Sequence, residues 1–159
     1  MTRSSLRVAA FGIGISAGLR SLTAPAVLVW SADKKFVRKS FPLAGFVTHR
    51  VSKRVVKLAA GELIADKLPF TPNRISTGPL AARLVSGAAC GAAVSLGLKG
   101  PWQEGAVLGA VGALAGAFGG YYARKHLSKR NPKIAVALLE DAMAIGIGMA
   151  VVSRVARSM

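Results

Sequence analysis

Apolar residues run almost unbroken from about Leu6 to Trp30, give way to a polar stretch, and return in four further blocks. Those blocks cover about Val55 to Leu68, Pro79 to Leu98, Trp102 to Ala123 and Ile134 to Ala156. With a rise of about 1.5 Å per residue, a helix over the first block or any of the last three comes close to crossing a hydrocarbon core of roughly 30 Å. The pattern predicts an all-α integral membrane protein, a bundle of four spanning helices. The block from Val55 to Leu68 contains Glu62 and Asp66 and is stopped by Pro69 and again by Pro72, so it reads as a short re-entrant or interfacial helix. Segments 31–54 and 124–133 are basic, the former also carrying turn formers such as Pro42 and Gly45, and both are expected to be surface loops.

The start of the chain also has the look of a secretory signal. Arg3 and Arg7 precede the apolar run, and Ala24-Pro25-Ala26 offers a small-residue cleavage site. Apolar character nevertheless resumes after Arg20 and continues to Trp30, an aromatic suited to the membrane interface, so an uncleaved first span is expected.

A chain of 159 residues has room for one membrane domain, and its wealth of glycine suits helix backbones that approach closely in lipid. In the fourth block Gly105, Gly109, Gly112, Gly116 and Gly120 recur every three or four residues, a glycine-zipper spacing that draws one stripe along a helix. Shorter ladders occur at Gly14 and Gly18, at Gly87, Gly91 and Ser95, and at Ala142, Gly146 and Ala150. Packing within the chain is their ordinary use, and contact between copies in a homo-oligomer is the alternative.

Charge changes the picture in two ways. Lys and Arg total 22 against 6 Asp and Glu, an excess that would ordinarily suggest nucleic acid. The basic residues lie between the apolar blocks instead of forming a face interleaved with aromatics, so the expected partners are the bilayer and its anionic lipids, not nucleic acid. If the Val55 to Leu68 helix does not cross, most Lys and Arg fall on one side of the membrane. That asymmetry favours four spans with both termini outside over five spans with inverted repeats.

The acids are few and oddly placed. Glu62, Asp66, Glu140 and Asp141 lie in or beside apolar helices, where an ionised group costs about 2.5 to 3.5 kcal/mol and so faces protein or water and finds a partner. Glu62 and Asp66 are one turn apart on a shared face, whereas Glu140 and Asp141 point about 100° apart. Arg20 and Arg83, the cations most deeply set in apolar sequence, are the natural counter-charges. Cys90 is the sole cysteine, and His49 and His126 match no metal-ligand spacing, so neither a metal nor a cofactor is expected. No phosphate-binding loop, nucleophile elbow or histidine base within a span marks a catalytic residue.

Residues 62 to 69, Glu-Leu-Ile-Ala-Asp-Lys-Leu-Pro, followed by Arg74 and Gly78-Pro79-Leu80-Ala81-Ala82, resemble the bacterial membrane family catalogued as domain of unknown function 4126, as does Ala17-Gly18-Leu19-Arg20. The resemblance covers most of the chain and implies a compact multi-helix fold in a bacterial inner membrane. It makes Glu62, Asp66, Lys67, Pro69 and Arg74 the signature positions, without implying an activity. The departure from the family lies before Glu62, where Arg50, Lys53, Arg54 and Lys57 replace an apolar helix.

Together these features lead to a channel or transporter in which Glu62 and Asp66 hold a cation or proton, with Lys67, Arg74, Glu140 and Asp141 completing the site. The rival is a noncatalytic organiser that binds anionic lipid or partner membrane proteins, and a lipid-head-group enzyme stands third.

Overall fold

A computed structural model describes residues 3–34, 48–65, 77–129 and 132–158. These form six α-helices and no strand: α1 Arg3–Leu19, α2 Thr23–Asp33, α3 His49–Ala65, α4 Thr77–Gly97, α5 Trp102–Leu127 and α6 Lys133–Ser158. Three of them, α4, α5 and α6, are long and apolar enough to cross a membrane, which makes this an all-α membrane protein. On α5, Trp102 and Tyr121 are separated by about 29 Å of helix, which places interfacial aromatics at both edges of a hydrocarbon core.

The first apolar block is not one span, and Pro25 is the reason. In a continuous helix it would lack the N–H that bonds residue 21, and its ring would press on that carbonyl. The chain instead leaves helix at Arg20, turns through Ser21 and Leu22 and restarts at Thr23, so Pro25 falls in the first turn of α2, where no N–H is needed. The freed carbonyl of Ser21 accepts a hydrogen bond from the Ser86 hydroxyl at 2.5 Å.

Beyond this turn the chain doubles back. The Ser16 hydroxyl donates to the carbonyl of Ala144 at 2.7 Å, Arg20 pairs with Asp141, and a side chain built on Gly148 would meet both Ser16 and Val27. Val27 is therefore level with Ser16, and α2 climbs α6 antiparallel to α1. Then α3 reverses again, with His49 meeting Asp33 at the end of α2 (2.9 Å) and Glu62 reaching the turn at Ser21.

This course corrects two expectations. Segment 31–54 is not wholly loop, because α3 starts at His49, and the Val51 N–H donates to Thr48 Oγ1 at 3.4 Å. Its basic residues hid an amphipathic helix: Ser52 and Ala59 are buried, while Arg50, Lys53, Arg54 and Lys57 are exposed. Nor do the described residues between 31 and 83 gather at one end of the bundle. Lys34 and His49 lie toward the end that holds the start of α1, whereas Glu62 lies at the opposite end, so the charge asymmetry drawn from one continuous surface segment does not hold.

Glycines set the centre. A methyl group added at Gly14 would strike the backbone of Gly109, and one at Gly18 the backbone of Ala113. From α4, Gly87 abuts Gly109 and Gly91 abuts Gly105. Thus α5 packs closely against α1, running parallel to it, and against α4, antiparallel, and α1 and α4 also meet each other. In lipid, where no hydrophobic effect drives helices together, such close approach supplies the dispersion and Cα–H···O contacts that hold them. Alongside, Ile13, Val27, Leu28, Val94, Val152 and Val155 form the apolar core.

Candidate functional site

The turn at residues 20–22 collects side chains from most of the bundle. Arg20 is completely buried, and its guanidinium pairs with the Asp141 carboxylate on α6. An isolated ion there would carry a desolvation penalty of several kcal/mol, which the opposite charge offsets. Glu140, the preceding residue, points around α6 toward α5 and accepts from Arg124 Nη2 at 2.6 Å. The two adjacent acids thus tie α6 to two different helices.

Glu62 has a third role. One carboxylate oxygen accepts from the Ser21 N–H at 3.1 Å and from the Ser21 hydroxyl; the other accepts from the Leu22 N–H at 2.9 Å. These amides precede the first turn of α2, where the helix dipole presents partial positive charge. Glu62 is therefore a cap supplied to α2 from α3, and it fastens the finish of α3 to the buried turn. Replacement by alanine is expected to cost about 1 kcal/mol, in the range for loss of a helix cap. Hydrogen exchange measured by mass spectrometry then shows amides 21–24 opening about fivefold faster. Unchanged exchange there would refute the capping role.

Of the positions singled out from sequence, Glu62, Arg20, Arg83, Glu140 and Asp141 are described. Arg83 is buried on α4, one turn before Gly87. Asp66, Lys67 and Arg74, with Pro69, lie outside the described residues. The structure brings Glu62, Arg20 and Asp141 to one turn and directs Glu140 away from it. Sequence reasoning missed Arg124, Ser21 and Ser86. A short connection between α5 and α6 lays the end of one beside the start of the other, so hairpin register would have pointed to Arg124 as a partner for Glu140.

The remaining described acids are also engaged, Glu104 with Arg7 at 2.5 Å and Asp33 with His49 at 2.9 Å. Among the described residues no group of His, Cys, Asp and Glu is placed to hold a metal ion. What the arrangement does chemically is neutralise buried charge while fixing helix ends. Comparisons with protein families, with characterised proteins and with solved structures find nothing that matches this chain.

Proposed function

We propose that this chain is a noncatalytic, multi-pass organiser of a bacterial inner membrane, a rigid helical body that gathers anionic lipid around its basic ends. The observation that carries this reading is that every described carboxylate is already held by a basic side chain or by backbone amides. A permeation pathway needs acids that exchange their ligand readily, and interlocked pairs oppose that exchange. In this reading α1 crosses with α4, α5 and α6, its 17 residues reaching about 26 Å, while α2 packs into the core and α3 runs antiparallel beside it. Exposed Arg3, Arg7 and Arg157 at one end, and Lys125 and Lys129 at the other, supply attraction to anionic head groups.

A second reading, a cation or proton pathway, is favoured by one observation: the break between α1 and α2 places a carboxylate at a helix N-terminus, as discontinuous helices of transporters place their ligands. Proteoliposomes separate the two. The organiser leaves an imposed pH gradient decaying as in protein-free vesicles, and the purified protein retains phosphatidylglycerol over phosphatidylcholine by about tenfold. Rapid decay with the wild type, lost in a folded Glu62→Gln, Asp66→Asn double variant, would replace the organiser with the pathway.

A further inference from the structure

The contacts of α3 fix the depth of its basic residues. Gly14 lies against Gly109, and Gly148 brings Val27 level with Ser16, so Val27 stands near the midpoint of the stretch of α5 between Trp102 and Tyr121. Asp33 lies about 9 Å further along α2, toward the start of α1, and His49 meets it there. From His49 the chain turns back, so Lys53 and Lys57, about 6 and 12 Å along α3, return to the level of Val27. Lys53, Arg54 and Lys57 therefore stand near the middle of the hydrocarbon core that α5 crosses, with Arg50 one turn nearer its edge.

These cations also share a face. Ser52 and Ala59 are buried on the side of α3 that packs on α2, and at about 100° per residue Arg50, Lys53, Arg54 and Lys57 fall on the opposite side, all exposed. No described carboxylate pairs with any of them. Val51 and Leu58 are exposed on one shoulder of the basic face and Val56 on the other. A cation near the bilayer centre faces protein or water, not lipid tails, and only those near helix ends reach the head groups. The outer face of α3 thus needs a cover that the chain itself does not provide among the described residues.

We propose that this face docks an acid-bearing transmembrane helix of another membrane protein. Lys53 and Lys57 form one ridge and Arg50 and Arg54 a second, so carboxylates one turn apart on the partner match either. Charge selects this occupant. A second copy presenting the same face would set like charges against each other, and every described carboxylate of this chain is engaged elsewhere. The phosphate of an anionic lipid stays at the edge of the core, roughly 15 Å from its middle. An acidic helix carries its charge to the required depth, while Val51, Val56 and Leu58 close the contact against lipid. The inference depends on the position of α5 in the bilayer and stands apart from the choice between organiser and pathway.

Gly61, one turn beyond Lys57 and with open space at its Cβ, takes the reporter for a test. Full-length Cys90→Ala, Gly61→Cys protein carrying a dye would be reconstituted in phosphatidylcholine vesicles with a quencher-labelled, leucine-rich peptide of about 20 residues. The peptide bears two central glutamates one turn apart or, as control, two glutamines. The glutamate peptide is expected to quench the dye with about tenfold higher affinity than the glutamine peptide. Adding Lys53→Gln and Lys57→Gln brings the two peptides within about twofold of each other, with melting followed by circular dichroism unchanged. Arg50→Gln with Arg54→Gln, on the second ridge, gives an independent pair with the same expected loss.

Equal affinity for the two peptides overturns the proposal. A glutamate preference that survives both pairs of substitutions moves the acidic partner to another face and overturns the assignment to α3. Self-quenching at high protein density that the glutamate peptide does not relieve assigns the face to a second copy. Quenching by aqueous iodide that the glutamate peptide leaves unchanged assigns it to water. Either result overturns the acidic partner.

Discussion

Gly109→Leu is expected to abolish the native bundle, and Gly109→Ala to destabilise it by about 3 kcal/mol or more. Gly109 is where three helices meet. A Cβ built there collides with the backbone of Gly87 and comes within 3.1 Å of the Gly91 Cα, while the Gly109 carbonyl itself lies against Gly14. Overpacking a core costs about 1 to 3 kcal/mol when side chains can adjust. Here the obstacles are main-chain atoms, so relief requires moving whole helices apart and forfeits the other close contacts along α5. The sole cysteine supplies the measurement: Cys90 is buried beside this crossing, and its labelling by a thiol-reactive dye during heating reports loss of the fold. Gly119→Ala, with open space at its Cβ, serves as the control and is expected to be neutral or stabilising by up to about 1 kcal/mol. If Gly109→Ala melts with the wild type, the close approach of the helices is not what holds the bundle.

The second large effect concerns the buried pair of Arg20 and Asp141. Arg20→Met leaves the carboxylate in an apolar interior, and Asp141→Leu leaves the guanidinium there; each is expected to cost about 3 to 5 kcal/mol. The combined Arg20→Met, Asp141→Leu variant removes both charges and is expected to be more stable than either single variant. The same thiol-labelling curves give the coupling between the two sites. Additive losses, without recovery in the double variant, would show that the two side chains act independently.

The glycine-rich blocks could be read from sequence because close helix contact needs small residues at helical spacing, and Gly14, Gly18, Gly87 and Gly91 do abut the α5 backbone. The same spacing misleads at Ala142, Gly146 and Ala150. All three are exposed, and a side chain started at Gly146 would meet nothing. Where every face of a helix is apolar, composition cannot tell protein from lipid. The reversal at residues 20–22 was hidden because its neighbours are apolar on both sides, leaving Pro25 as the available signal. The start of α3 was obscured by positive charge, although Ser52 and Ala59 keep a buried line through it. At the site, the scarcity of acids identified Glu62, Glu140 and Asp141 as residues needing partners. What each partners depends on how distant helices stand beside one another, and one-dimensional spacing holds no record of that.

The turn at residues 20–22 has a consequence for how the protein is made. Its fastenings come from later in the chain: Ser86 from α4, Glu62 from α3, and Asp141 from the last helix, which also positions Ser16 across a separation of 128 residues. At about 5 to 20 residues per second, translation delivers that helix roughly 6 to 25 s after the turn itself. During that interval α1 and α2 already exist with the Arg20 charge unmatched by Asp141. The first helices are therefore held provisionally, and the arrival of α6 commits them. A chain cut short before α6 retains an exposed charge at its innermost turn, the kind of defect by which a membrane protease distinguishes unfinished chains from finished ones.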